Sequence, residues 1–275
     1  MQKKILALHD LAGLGRSSLV PIIAVLSAMG HQCVPLPTAA YSSHHGLPGW
    51  QGCGLTDRMR PALGQYTSFG LRFDAVYSGF LSSGEQIAIV AEAAARLNAG
   101  LLIVDPVLGD NGRLYSSMTP ALCAEMVSLC RRADVITPNS TEAAVLLGRG
   151  PDVSPEDDSE ALEWVSQLHR RFGAAVVLTG LALHEGQLSI ACCENGNASL
   201  LYHPRIGAYY PGTGDLFAAV LTGCMVSGET AAEAARRAAG FVRECIAAAV
   251  QEGGDPLLGV PFEGKLRQLW EPPDV

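Results

Sequence analysis

The stretch GEQIAIVAEAAARLNAGLLIVDP, residues 84–106, decides the fold. Gly84–Asn98 is rich in Ala and repeats apolar residues at helical spacing, and Gly100 is a stop signal. Leu101–Asp105 follows as a nearly unbroken apolar run, the pattern of a strand covered on both faces of a parallel sheet. A helix feeding such a strand is half of a βαβ unit, and the same alternation runs outward in both directions. Upstream, Ile5–Leu8 reads as a strand and Ser17–Met29 as a helix stopped by Gly30. Cys33–Thr38 reads as a strand weakened by Pro35 and Pro37, and Ala75–Ser78 as a further strand. Downstream, Thr119-Pro120 opens a helix, with Thr as N-cap and Pro at the first position. Val135–Thr137 is a strand, Ser140–Leu147 a short helix, and Ser154–Asp157 another helix start. Ala175–Thr179 is a strand, and Leu188–Cys193 with Leu200–His203 forms a hairpin across Glu194–Asn197. Two more helices begin near Gly214 and at Thr230, where Thr230 and Glu233 fit a capping box. With no internal repeat and no linker-like composition, the pattern predicts one α/β domain over residues 1–275 with a mostly parallel sheet. In such sheets the chemistry collects at the carboxyl ends of the strands.

Composition narrows the class. The 275 residues are 48% hydrophobic and 17% charged, which excludes intrinsic disorder. The net charge is −8, and only Lys3, Lys4 and Lys265 are lysines, so a nucleic-acid or anionic-membrane partner is not expected. Mean hydropathy is +0.21, yet charge, Gly or Pro interrupts every apolar stretch before the roughly 18 to 20 residues a span needs. Lys3 and Lys4 run straight into a short strand rather than a secretory leader, and none of the eight cysteines forms a CxxC pair. Reduced, buried thiols in a cytoplasmic protein are the expectation.

The residues after the strands carry the chemistry. In Tyr210-Pro-Gly-Thr-Gly-Asp215 a Gly-Thr-Gly turn enters an apolar helix. Gly212, Thr213 and Gly214 can present backbone amides at a positive helix end, an anion hole without lysine. Asp215 beside that hole would repel phosphate but is suited to take a proton from a hydroxyl that attacks phosphorus. An N-cap carboxylate after a tight turn is the plainer alternative. Asp105 and Asp110 lie close together in the Gly-rich run Asp105–Tyr115, either as carboxylates that Mg²⁺ neutralises or as part of a solvated Asp-Asn-Gly turn. Asn139 and Glu142, three apart, fit either a metal-bound water or a capping arrangement. Thr179 offers a hydroxyl at another strand end. No G-x-x-x-x-G-K-[ST] is present, and His9–Arg16 has Ser18 where a dinucleotide fingerprint needs its third glycine.

Asp105-Pro-Val-x-Gly-Asp-x-Gly-x-x-Tyr115, Thr137-Pro-Asn-x-x-Glu142 and Gly212-Thr-Gly-Asp215, in this order, resemble the ribokinase-like kinases. Within them the chain is most similar to the vitamin B6 kinases, a match that His9-Asp10, Gly13-Leu-Gly15, Thr38–Gly46 and Tyr77-Ser-Gly-Phe80 extend over essentially the whole chain. The resemblance implies a three-layer α/β/α sandwich, a homodimer, and ATP-dependent phosphorylation of the 5′-hydroxymethyl group of pyridoxal, pyridoxine or pyridoxamine. Asp215 would be the base, and Gly212, Thr213 and Gly214 the anion hole. Asp105, Asp110 and Glu142 would order Mg²⁺, with K⁺ as a further ion. Asp110, Tyr115, Thr137, Asn139 and Thr179 would serve ATP. Asp10 would meet polar atoms of the pyridine, Tyr41 would stack on the ring, and His44 and Phe80 would line the pocket.

Two positions depart from the family. Asp10 stands where many members carry Ser, and His45 where they carry Thr. A carboxylate at position 10 would favour a protonated ring or the amine of pyridoxamine. His45 reads as a loop position, and Gly46–Gly70, with Trp50 and Tyr66, as a flap that would exclude water. The nearest alternative substrate is hydroxymethylpyrimidine, another aromatic ring with a CH₂OH arm. Sugar kinases fit less well. The alternative of another class is a non-catalytic B6- or nucleotide-binding protein.

Overall fold

A computed structural model of the chain describes residues 2–207 and 209–270. Eleven strands form among them: β1 (Lys4–Leu14), β2 (Gln32–Ser43), β3 (Gly52–Gly54), β4 (Ala75–Ser78), β5 (Leu101–Val104), β6 (Gly109–Asp110), β7 (Arg113–Leu114), β8 (Val135–Ile136), β9 (Ala175–Leu181), β10 (Gln187–Glu194) and β11 (Asn197–Pro204). The helices are α1 (Leu19–Ala28), α2 (Thr56–Ser68), α3 (Gly84–Arg96), α4 (Pro120–Cys130), α5 (Ser140–Leu146), α6 (Asp158–Phe172), α7 (Thr213–Val226) and α8 (Ala231–Glu252), followed by short turns. Nine strands share one sheet in the order β11-β10-β9-β8-β5-β4-β1-β2-β3. The six from β9 to β2 are parallel, and the two edges are antiparallel additions.

The period-2 alternation of the strands sorts side chains into two cores. Leu6, Leu8, Val76 and Val104 face a cluster with α2 to α6, whereas Ile5, Ala7, Tyr77 and Ile103 face one with α1, α7 and α8. This is the three-layer α/β/α architecture read from the motifs. Because β2 and β4 flank β1 on opposite sides, the chain reverses its winding there. That opens a crevice at the carboxyl ends of β1 and β4.

The helix starts behave as their residues predict. Ser83, Thr119 and Asp157 cap α3, α4 and α6, and Thr230 with Glu233 closes a capping box on α8. The β10–β11 hairpin turns on Asn195 and Gly196, both at positive φ.

Two features differ from expectation. First, β1 and β2 run on past Leu8 and Thr38 as a ladder reaching Leu14 and Ser43, with a register slip where Thr38 and Ala39 span the single Asp10. The two prolines fit β2 because residues two apart lose donors on the same edge, and β3 covers that strand only at 39–41. Second, Gly46–Gly70 is not one flap. Thr56–Ser68 is helix, with Met59 and Leu63 in the core, and Tyr66 packs on Phe73. Pro61, Gly64 and a largely polar composition hid that helix. The Asp-Asn-Gly turn read as one alternative is present, as a tight hairpin over Asp110–Arg113 with Asn111 and Gly112 at positive φ.

Candidate active site

The carboxyl ends of the strands and the start of α7 enclose a cavity of about 340 Å³. It brings together Asp105, Asp110, Tyr115, Thr137, Asn139, Glu142, Thr179, Gly212, Thr213, Gly214 and Asp215, residues drawn from four separate motifs. Sequence reasoning missed the rest of its lining. Leu188 and Ile190 of β10, with Val242 and Ile246 of α8, give it an apolar end, and Tyr209 stands at its rim. Only the apolar spacing of the hairpin and of α8 hinted at such a wall.

Gly212 caps α7 at φ +82, and a Cβ there would overlap the Arg16 carbonyl. Only glycine lets the turn pass this close to the loop after β1. The Thr213 hydroxyl donates to Tyr210 O at 3.1 Å, which holds the turn. The first amides of α7 therefore open onto the cavity with the helix dipole behind them.

Asp215 stands in the first turn of that helix. Its Oδ2 accepts from the Ser18 amide at 2.6 Å, and its Oδ1 lies 3.2 Å from His9 Nε2. Ser18 holds a positive φ of 60°, a strained conformation for a side-chain-bearing residue, which points its N–H at the carboxylate. His9 is 3% exposed and also meets Asp10, with Nδ1 at 2.8 Å from Oδ1. The Asp10 N–H is also aimed at Nδ1, at 2.9 Å, a contact that only an unprotonated nitrogen could accept and that competes with the carboxylate. A bare Nδ1 would set its lone pair against the carboxylate, so Nδ1 carries a proton and donates to Asp10. Burial alone would lower the His9 pKa, but its contacts with Asp10 and Asp215 and their charges raise it to about 10. Asp10 is likewise pushed up by burial, yet its contacts with His9 and the Ser18 hydroxyl, at 2.9 Å, hold it below the usual range.

On the other wall, burial and the neighbouring Asp215 raise Asp105, and burial and Asp105 raise Glu142. Tyr77 reaches Asp105 Oδ2 at 3.5 Å. Both oxygens of Glu142 serve the backbone, accepting from Leu108 N and Asn139 N, and the Asn139 side chain bonds Glu142 N and Gly109 O. Asn139 and Glu142 thus form a capping box, and the Asn139 amide nitrogen donates outside it to Gly109 O. The Thr137 hydroxyl is buried beside Asp105 without a well-aligned hydrogen bond, and Thr179 pairs by backbone with Pro138. The oxygens of Asp105 and Glu142 and the buried Thr137 hydroxyl suit a hard cation. Among the described residues, no group of three or more His, Cys, Asp or Glu is placed to hold a metal ion by itself.

The four residues assigned to the ring pocket separate. Tyr41 and Phe80 join His45 and Trp50 in an aromatic cluster. The His45 ring lies 4.5 Å from Tyr41, 4.3 Å from Trp50 and 5.8 Å from Phe80. The Thr38 hydroxyl supports Phe80 by donating to its carbonyl. His45 lies in an exposed turn after β2, as the loop reading has it, and its ring also joins this cluster, where partial burial lowers its pKa. His44 Nε2 is turned onto Leu257 O at 2.7 Å, fastening the C-terminal loop, with its ring against Gly15 and Gly46. Asp10 has both oxygens engaged, by His9 and Ser18.

Comparison with known proteins agrees with this geometry. The family model for phosphomethylpyrimidine kinase matches residues 65–257. A pyridoxine/pyridoxal/pyridoxamine kinase of Bordetella bronchiseptica is 28% identical over 260 residues, 90% of this chain and 89% of that one. A Bacteroides thetaiotaomicron protein named as a candidate phosphomethylpyrimidine kinase, crystallised with pyridoxal, superimposes with a TM-score of 0.93 at 37% identity, covering 100% of this chain and 98% of its own. Pyridoxal kinase from Lactobacillus plantarum gives a TM-score of 0.90 at 28% identity over 98% of this chain and 97% of its own. The chain belongs to the phosphomethylpyrimidine kinase family and has the ribokinase-like fold of its vitamin B6 kinases.

Proposed function

We propose that this chain phosphorylates the 5′-hydroxymethyl group of a B6 vitamer with ATP, as a single kinase domain, giving pyridoxal 5′-phosphate or its pyridoxine or pyridoxamine analogue. One observation carries the reading: Asp215 stands at the amide-lined start of α7, in the same cavity as Asp105, Thr137 and Glu142. The relatives named for pyridoxal and the homologue crystallised with pyridoxal supply the substrate class. The Tyr41–His45–Trp50–Phe80 cluster offers aromatic faces for a pyridine ring.

The reaction is an in-line transfer. The substrate hydroxyl gives its proton to Asp215 as its oxygen bonds the γ-phosphorus and the bond to ADP breaks. Amides of residues 212–214 stabilise charge on the transferring group, fixed in place before reaction. Asp105 and Glu142 would hold Mg²⁺, which would neutralise phosphate charge and orient the nucleotide; K⁺ would be a second ion. The apolar end made by Leu188, Ile190, Val242 and Ile246 suits a nucleotide base, and Asp110, Tyr115 and Thr179 line the path to it.

ATP consumption over a panel of pyridoxal, pyridoxine, pyridoxamine, hydroxymethylpyrimidine and ribose tests the reading. Turnover should be highest with a B6 vitamer. The family description favours hydroxymethylpyrimidine as the second reading, and preferential turnover of that substrate would establish it. Pyridoxal binding without turnover would make the chain a binding protein. Asp215→Asn should lower kcat by roughly 10²- to 10⁴-fold with little change in substrate binding. A near-normal kcat would remove the base assignment. The six buried cysteines, all unpaired, favour a reducing cytoplasm, and no helix of the described residues is long and apolar enough to cross a membrane. A homodimer is the expected assembly, and light scattering on the purified chain measures it.

A further inference from the structure

His9 ends the apolar part of β1, where the sequence pattern marks only a strand end. Its ring lies between two carboxylates from distant parts of the chain, Asp10 on Nδ1 and Asp215 on Nε2. The two contacts differ in quality. The Asp10 contact is a short hydrogen bond at 2.8 Å, while Nε2 meets Asp215 as an ion pair at 3.2 Å without good hydrogen-bond alignment. The surroundings are shaped to seat this ring. A Cβ on Gly79 would overlap it and come within 2.8 Å of His9 Cγ, and Tyr77 stacks on it at 6.5 Å with an interplanar angle of 22°. Among the described residues, no other basic side chain forms an ion pair with Asp10, Asp105, Glu142 or Asp215.

We propose that His9 is a positioning residue for phosphoryl transfer, one that orients the Asp215 carboxylate from Nε2 while Asp10, anchored by Ser18, orients the imidazole from Nδ1. An aspartate side chain rotates broadly about its last bond. Ser18 N–H fixes one oxygen of Asp215 and His9 fixes the other, which leaves the free lone pairs of the carboxylate turned to the cavity. The loose Nε2 contact has room to tighten as a substrate hydroxyl arrives. Position 10 is thereby tied to the reacting centre through His9, and through Ser18, which bonds both carboxylates.

The inference rests on Asp215 being the base, and a double-mutant cycle separates the two. His9→Gln removes the charge and one of the two opposed contacts while retaining a polar side chain. It should lower kcat for pyridoxal by about 10- to 100-fold, the range usual for partners that orient a reacting group. The KM for ATP should stay within about threefold, since His9 does not line the nucleotide cavity. In an Asp215→Asn background the same substitution should change kcat by less than about threefold, because its target is gone. An unchanged kcat in His9→Gln, or the same loss in both backgrounds, overturns the proposal. If Asp215→Asn keeps its activity, the base assignment fails; if it loses activity while His9→Gln does not, the role of His9 fails alone. Should His9→Gln not fold, ¹⁵N NMR of the imidazoles decides. The Nε2 resonance of His9 should move between wild type and Asp215→Asn on addition of pyridoxal with a non-hydrolysable ATP analogue, and an identical response in both overturns it.

Discussion

Replacing Gly212 by alanine tests both the turn and the chemistry built on it. The new methyl would overlap Arg16 O, stand 2.8 Å from Arg16 C and 3.0 Å from Ser17 Cα. Carbon atoms rest at about 3.5 Å or more, so the carbon contact alone forces a separation of about 0.7 Å, and relief of the oxygen overlap brings the shift to about 1 Å. Holding alanine at φ +82 adds about 1 kcal/mol, and overpacking adds about 1 to 3. The unfolding midpoint should fall by roughly 5 to 15 °C. Activity should fall further than stability explains. The turn carries the amide cradle on one side, while Arg16 and Ser17 lead on the other to Ser18, whose N–H holds Asp215. A displacement of about 1 Å at reacting groups costs roughly 10²-fold. The assay is kcat at saturating pyridoxal and ATP, well below the midpoint, with calorimetry on the same sample. A folded Gly212→Ala enzyme with kcat within threefold of wild type would refute the close approach.

Gly240 lies inside α8 with no atom within 4 Å of an added Cβ, so Gly240→Ala should stabilise by about 0.5–1 kcal/mol, read as a higher midpoint with unchanged kcat. A lower midpoint would show that the space is not there. His9, raised to about 10 by contacts with Asp10 and Asp215, contributes stability that is complete below about pH 6.5 and lost as pH rises through about 10. The unfolding free energy of wild type should therefore decline over that window relative to His9→Gln, and parallel profiles would contradict the ion pairs. Asp10→Ser should lower kcat/KM for pyridoxal and pyridoxamine together, by about tenfold, because its carboxylate is engaged by His9 and Ser18. A selective loss with pyridoxamine would instead show the carboxylate meeting the substrate amine.

Most of the scaffold was legible because the strands here are buried on both faces and the helices begin at strong caps. Leu101–Val104 and the cap at Thr119 need no tertiary information. The motif residues after β5, β8 and before α7 were legible for a different reason: a parallel sheet gathers strand ends, whatever the loops do. What escaped reading depended on contacts between distant segments. The role of His9 exists only because α7, more than 200 residues later, brings Asp215 to its ring. His44 and His45 are adjacent and chemically identical, and only the C-terminal loop and the Trp50 ring tell them apart. α2 was obscured because little of it is fully buried, so its apolar pattern is weak and Pro61 and Gly64 argue locally against helix.

The charge pattern of the site forces one more conclusion. Asp105, Asp110, Glu142 and Asp215 all line the cavity that would take a polyphosphate, and none of its lining residues is Lys or Arg. The positive potential of the α7 start acts within a single turn and is worth about half an elementary charge, too little to offset four carboxylates against a nucleotide. Burial and neighbouring carboxylates push Asp105 and Glu142 above their ordinary range, so that without a cation they tend to take up protons instead. On the proposed function, the missing positive charge would arrive with the nucleotide as Mg²⁺. Calorimetric titration of ATP should show binding weakened by at least about tenfold, roughly 1.4 kcal/mol, when EDTA removes Mg²⁺. The Asp105→Asn variant should narrow that gap, since one repelling charge is gone. Equal affinity with and without Mg²⁺ would mean that these carboxylates do not face phosphate at all, and the placement of the nucleotide over the strand ends would have to be abandoned.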